Sequence, residues 1–280
     1  MLLSKAWKRY ESDKRIEGYS LLTMQNYNYQ LCVLMRCFGD IDINEFTTDS
    51  LKEYLVKKGD HLKPSSLGHR IRFLKSIFNW AHGEGIIVKN PATKIKEPKL
   101  GKRIPKFLSE QEIELLRESC LTPLEKALFE FMYSTGCRIG EVIKLNREDI
   151  NFHSQSVVVH GKGDKEREVY FNVRCDIWLK RYLDERKDND QALFVTERKP
   201  QHRMSIDLMR YIIKRISNRA GINKTIHPHQ LRYSYATHMM NNGAPLDVIQ
   251  SLLGHEKSET TRVYAQLSGK LRHQIYSQYF

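Results

Sequence analysis

One stretch sets the plan of the chain. From Lys94 to Lys106 the sequence reads KIKEPKLGKRIPK, with two prolines, one glycine, six lysines or arginines and a single glutamate. It follows neither the helical repeat of about 3.6 residues nor the two-residue alternation of a strand. Such a composition reads as a linker, and its charge suits a course along a phosphate backbone. Helical periodicity fills the chain before it, and mixed patterns follow it. The 280 residues therefore divide into a helical domain over 1–93, a basic interdomain linker over 94–106 and a second domain over 107–280, sizes that match the usual range for domains.

In the first domain Tyr27, Leu31, Leu34, Met35 and Phe38 form one apolar helical face. Ser20 and Thr23 lie where a cap starts that helix, and Gly39 closes it. Thr47 or Thr48 caps a short helix carrying Leu51, Tyr54 and Leu55. Pro64-Ser65-Ser66 opens another, with Leu67, Ile71, Leu74, Phe78 and Ala81 on one side and His69, Arg70, Arg72 and Lys75 on the other. A basic face opposite an apolar stripe suits a DNA groove or a line of phosphates. Arg70, Arg72 and Lys75, with Lys99, Lys102 and Arg103 of the linker, are the candidate DNA contacts. The competing reading of such a face is an ordinary solvated one.

The formal net charge of +13 favours a polyanionic partner, nucleic acid first. Hydrophobic residues make up 40% of the chain, too many for a disordered protein. No apolar run is long enough to span a membrane and no signal peptide is readable, so no membrane partner is expected. The five cysteines are odd in number and form no CxxC pair. Reduced thiols in a cytoplasmic protein are the simple reading. Cys137, although beside Arg138, reads as a buried inert thiol.

The second domain begins with a capping box, Ser109-Glu110-Gln111-Glu112. Pro123 starts the next helix, with Leu124, Ala127, Leu128, Phe131 and Met132 apolar. The segment TGCRIGE, residues 135–141, interrupts it, and helix resumes through Val142 and Leu145. Val157-Val158-Val159 and Val169-Tyr170-Phe171 flank a Gly-rich polar turn and read as a hairpin. The Gly161-Lys162-Gly163 within that turn is not a P-loop, since the earlier Gly and the following Ser or Thr are missing. Residues 174–187 and 205–220 read as amphipathic helices, with a short strand at Leu193-Phe194-Val195 between them. A helix from about 228 to 241 stops at Gly243, another follows Pro245 and breaks at Gly254, and Leu271, Ile275 and Tyr279 close the chain at helical spacing. The class is mainly α, with a small β-sheet in the second domain.

The chemistry concentrates in residues 227–264, which hold His229, Arg232, His255 and Tyr264. Two imidazoles, a guanidinium and a phenol in a basic chain without an obvious metal site suit reaction at a phosphate. Moving a DNA phosphodiester onto a protein hydroxyl needs an in-line nucleophile, cations on the two non-bridging oxygens and an acid for the leaving 5′-oxygen. Tyr264 can be the nucleophile, Arg138 and Arg232 the cations, and Lys162, at a hairpin tip, the acid. His229 and His255 can hydrogen-bond the phosphate or move protons. Taken singly, each has an ordinary reading: Lys162 as a solvated lysine, Arg138 as a partner of Glu141, and the histidines as structural.

The order and spacing of these residues decide between the readings. TGCR138IGE141, HGK162GDKER, H229QLR232, LLGH255 and Tyr264 follow one another with 24 residues from Arg138 to Lys162, 23 from Arg232 to His255 and 9 from His255 to Tyr264. In this the chain resembles the tyrosine recombinase, or phage integrase, family, and in layout its compact Xer-like members that lack an added arm-binding domain. Tyr233 stands where such members often carry His, a position outside the catalytic six. The resemblance covers nearly the whole chain. It implies a helical core-binding domain followed by a mostly α catalytic domain of the DNA breaking-rejoining enzyme fold.

The resemblance also implies a reaction and its partners. Tyr264 would form a 3′-phosphotyrosine and free a 5′-hydroxyl, with no ATP, metal or other cofactor. Four protomers on two duplexes, each bearing a specific recombination site, would exchange strands through a Holliday junction. Residues 269–280 would form a C-terminal helix exchanged between protomers, Glu141 would support Arg138, and an accessory or activating protein is a further candidate partner. Two alternatives stay open on the sequence: relaxation of DNA like that of a type IB topoisomerase, and a non-catalytic DNA-binding accessory protein of the same fold.

Overall fold

Proline and small polar residues begin most of the helices where the sequence places them. Pro64, Pro123 and Pro228 each occupy the first turn of a helix, where the missing N–H has no intrahelical partner to lose. The structure, a computed structural model, describes residues 1–101, 106–161, 165–222, 224 and 226–254. Contacts divide the chain into two units, Met1–Lys102 and Arg103–Phe280.

The first unit is built on helices α1 (Leu3–Ile16), α2 (Leu21–Phe38), α3 (Thr48–Gly59) and α4 (Pro64–Gly83). Ser20 Oγ caps α2 by accepting from Thr23 N, and Thr47 Oγ1 caps α3 by accepting from Ser50 N. Helix α4 is the hub, in contact with α1, α2 and α3. Tyr10 on α1 shares a hydrogen bond with Ser76 Oγ (2.6 Å), and Trp80 Nε1 donates to Asp13 Oδ2 (2.7 Å), so polar tips fix how the aromatic bodies pack.

Packing on several sides gives α4 a wider buried face than its apolar stripe, with Phe73 and Ile77 fully enclosed. This overturns the expectation for Arg70, which is 6% exposed. Its Nε donates to Gln30 Oε1 (3.1 Å), its Nη1 to the Lys58 carbonyl (2.5 Å), and its guanidinium lies over the Tyr54 ring. Arg70 ties α2, α3 and α4 together and does not present its charge to a phosphate. Ala92 and Ile95 are buried in the same core, so the basic stretch is anchored at its start.

The second unit opens with α5 (Glu110–Glu118), held by the Ser109–Glu112 capping box. Helix α6 (Pro123–Thr135) is its axis and contacts α5, α8 (Val173–Glu185), α9 (Ile206–Arg219) and α10 (Pro228–Asn241). Among the described residues the remaining α-helices are the short α7 (Ile139–Val142) and α11 (Leu246–Leu253). Helix α7 stops before Leu145 because the carbonyls of Ile143 and Leu145 accept from Arg203 Nη1, and that of Leu145 also from Leu193 N.

A three-stranded antiparallel sheet runs in the order β1 (Ile150–Asn151), β2 (Ser156–His160), β3 (Glu166–Tyr170). Its register pairs Val157 with Val169 and Val159 with Arg167, which puts those four side chains on one face. Residues 193–195 are not a strand. Leu193, Phe194 and Val195 are buried, but in place of a continuous ladder they have the isolated bridges of Asn146 with Ala192 and Val195 with Arg203. A short apolar run marks burial without fixing its conformation. No helix among the described residues is long and apolar enough to cross a membrane.

Candidate active site

Gly136 ends α6 in the left-handed region (φ 60°), and the turn places Arg138 at the start of α7. Three residues on, Glu141 reaches back to accept from Arg138 N (2.8 Å), the acid half of a capping box. The same carboxylate accepts from Arg138 Nη1 (2.8 Å) and from Arg167 Nη1 (3.0 Å) and Nη2 (2.7 Å). Each carboxylate oxygen thus takes two N–H donors. Glu141 is 5% exposed. Burial alone would raise its pKa; the hydrogen bonds from Arg167, then from the Arg138 amide and side chain, overcome that and hold it at about 2.

Pro228 and a bond from His227 N to Gln230 Oε1 (2.9 Å) start α10. His229, in its first turn, is exposed. Partial burial, then the Arg232, Arg138 and Arg210 guanidiniums, lower its pKa below that of a free imidazole. Arg232, almost one turn later, is 3% exposed. Its Nη1 donates to the Gly136 carbonyl (2.6 Å) and its Nη2 to that of Leu253 (2.5 Å).

The end of α11 brings the cations together. Carbonyls in the last turn of a helix lack intrahelical donors and carry the negative end of its dipole. Here three successive ones are met by three arginines: Leu252 by Arg167 Nε (2.8 Å), Leu253 by Arg232 Nη2 and Gly254 by Arg138 Nη2 (3.4 Å). They come from β3, α10 and the start of α7. The hairpin root is close by. Gly161 N donates to the Lys165 carbonyl (2.8 Å), and a Cβ on Gly161 would stand 3.6 Å from Arg167 Nη1 and 3.7 Å from Glu141 Oε1. Among the described residues, three guanidiniums against one carboxylate leave a net charge of +2, suited to a doubly negative phosphorus transition state.

Of the six residues singled out for catalysis, the described part of the chain brings together Arg138, Arg232 and His229. Lys162, His255 and Tyr264 lie outside the described residues, as do Lys102, Arg103 and the segment 269–280. Of the other candidate DNA contacts, Arg72 is exposed and lies 3.7 Å from Glu97, Lys75 is half-buried and Lys99 is exposed. Cys137 is buried, and that burial pushes its thiol pKa up to about 11, the state of an inert thiol. The sequence reading missed Arg167. The signal was parity: two residues before the inward Val169, it faces the same side, where a charge needs a partner.

Residues 106–270 match the phage integrase family, and the chain belongs to that family. Tyrosine recombinase XerD of Lacticaseibacillus casei is 32% identical over 266 residues, 90% of each chain. The enzyme is accordingly a site-specific tyrosine recombinase, which cleaves and rejoins DNA strands. The fold is shared with XerH recombinase bound to its palindromic difH substrate in a post-cleavage complex (TM-score 0.75, 21% identity, 94% of this chain and 82% of that one). It is also shared with a lambda integrase tetramer bound to a Holliday junction (TM-score 0.73, 21% identity, 92% and 78%).

Proposed function

We propose that the enzyme cuts one strand of each bound site by attack of the Tyr264 hydroxyl on the scissile phosphorus. The phosphorus–5′-oxygen bond breaks, leaving a 3′-phosphotyrosine and a 5′-hydroxyl. Arg138 and Arg232 bind the non-bridging oxygens, and Lys162 gives its proton to the leaving oxygen. His255 hydrogen-bonds the phosphate. His229, whose pKa is lowered by partial burial and then by its cationic neighbours, can take the phenol's proton. A free phenol has a pKa of about 10, so it needs this setting. The 5′-hydroxyl of a partner strand reverses the step and conserves the ester. Two duplexes and four protomers then pass through a Holliday junction, as the lambda integrase tetramer bound to such a junction suggests.

The observation that carries this reading is the meeting of Arg138 and Arg232 on the carbonyls of Leu253 and Gly254, the latter one residue before His255 in the chain, with His229 near enough for both guanidiniums to lower its pKa. The basic 94–106 stretch joins a 1–93 core-binding domain to a 107–280 catalytic domain, and Arg72, Lys75 and Lys99 contact phosphates. Residues 269–280 dock on a neighbouring protomer.

The test is covalent capture. Intact protein is mixed with a pool of nicked duplexes of randomised sequence, and SDS-resistant adducts are recovered and amplified. Intact protein is expected to yield adducts and Tyr264→Phe none. No adduct from intact protein sinks the reaction, and an adduct from Tyr264→Phe sinks the residue assignment.

A further inference from the structure

We propose that Arg167 is a positioning residue for strand cleavage: it takes up the charge of Glu141, so that Arg138 keeps its own for the scissile phosphate, and it fixes the end of α11 against that cation. The inference rests on the reading of Arg138 and Arg232 as phosphate-binding cations.

Arg167 uses each of its three nitrogens. Nη1 and Nη2 grip the two oxygens of Glu141, and Nε donates to the Leu252 carbonyl. The side chain is 11% exposed and its stem lies over Gly254, where a Cβ would meet Arg167 Cδ at 3.0 Å. One residue therefore touches the helix start that carries Arg138, the hairpin strand that leads back to Lys162, and the helix end that leads on to His255. Lysine has a single nitrogen and cannot hold two acceptors on different elements in a fixed fork.

The electrostatic consequence follows from counting charges. With Arg167 present the cluster carries +2. Without it, a buried carboxylate faces Arg138 alone, draws that guanidinium toward itself, and leaves +1 for a phosphorane bearing two negative charges. Fixed cations aimed at developing charge make a large contribution to such reactions, and losing one costs about 100-fold in rate. Removing the carboxylate along with Arg167 restores +2, carried by Arg138 and Arg232.

The experiment uses full-length protein and the nicked duplex recovered by covalent capture. The duplex is made with either an ordinary phosphodiester or an uncharged methylphosphonate at the cleaved position. Single-turnover cleavage is measured at saturating protein, so that binding losses do not enter. Arg167→Met is expected to cleave the diester about 100-fold more slowly and to lose far less on the methylphosphonate, whose transition state carries one charge fewer. Arg167→Lys, which keeps a cation near Glu141, is expected to lose less than Arg167→Met on the diester. Arg167→Met/Glu141→Gln is expected to regain at least about 10-fold over Arg167→Met.

Equal losses on the two substrates, with the double variant no faster than Arg167→Met, would overturn the proposal and leave Arg167 a role in folding alone. If Arg167→Met does not fold, Arg167→Lys carries the two-substrate comparison: a smaller loss on the methylphosphonate supports the proposal and equal losses overturn it. Failure of intact protein to capture any duplex would instead remove the cleavage reading on which the inference stands.

Discussion

Gly136 joins backbone geometry, packing and the candidate site at one position, and its replacement by alanine gives a sharp prediction. Its φ of 60° is a left-handed conformation in which a Cβ crowds the following carbonyl, at a cost of about 1–2 kcal/mol. A Cβ there would also stand 2.5 Å from Tyr235 Cδ1 and 2.8 Å from Cε1. The ring packs against the small core of Ala236, Met240, Ile249 and Leu253, so it has little room to withdraw, and overpacking of this kind costs about 1–3 kcal/mol. Gly136→Ala should therefore destabilise the second unit by about 2–5 kcal/mol, or about 2–4 °C for each kcal/mol. Gly243 supplies the control. Its φ is 87° with nothing within 4 Å of a Cβ, so Gly243→Ala should cost only the backbone share of about 1–2 kcal/mol. The assay is urea unfolding of both variants, with Tyr235→Ala and the Gly136→Ala/Tyr235→Ala pair completing a cycle. The double variant should be more stable than the sum of the singles by about 1–3 kcal/mol. A Gly136→Ala midpoint equal to that of Gly243→Ala, or additivity within about 0.5 kcal/mol, would refute the steric argument. Because the Gly136 carbonyl also accepts from Arg232 Nη1, cleavage should fall in Gly136→Ala more than in Gly243→Ala.

Two further outcomes follow from charge placement. Glu141 has its pKa depressed from 4.5 to about 2; the stability this confers is present above the higher value and is lost as pH falls toward the lower, by about 3 kcal/mol. Acid unfolding curves of Glu141→Gln should lack that dependence below pH 4.5, and an unchanged acid limb would contradict the pairing. Arg70→Ala should lower the unfolding midpoint and leave the salt dependence of DNA binding unchanged, because its guanidinium is enclosed. Arg72→Ala should do the reverse, reducing the log–log salt slope by about 1 while stability stays within about 0.5 kcal/mol; an unchanged slope for Arg72→Ala would remove it from the DNA, and a reduced slope for Arg70→Ala would contradict its enclosure.

The helices were legible because their signals are local. Ser20, Thr47, Ser109 and Pro123 act within one turn, and the apolar repeat does the rest. What escaped the sequence depends on partners far along the chain. Helix α7 is cut short by Arg203, about sixty residues away. Arg70 looked like a surface cation until helices on several sides enclosed it. Leu193-Phe194-Val195 had the composition of a strand and no neighbouring run to pair with.

The site shows the same division. Its cations could be named from order and spacing, but which of them is neutralised by a carboxylate could not. Two readings of Arg138, as ion-pair partner of Glu141 and as phosphate-binding cation, exclude one another only if Glu141 has a single partner. It has two: Arg138 lies three residues away and Arg167 twenty-six. The longer-range guanidinium grips both carboxylate oxygens, while Arg138 gives one side-chain hydrogen bond to Glu141 and turns its other nitrogen toward the end of α11. Arg138 can therefore be oriented by an acid and still carry uncompensated charge. That condition asks for an arginine on the inward face of β3, and Arg167 occupies that position.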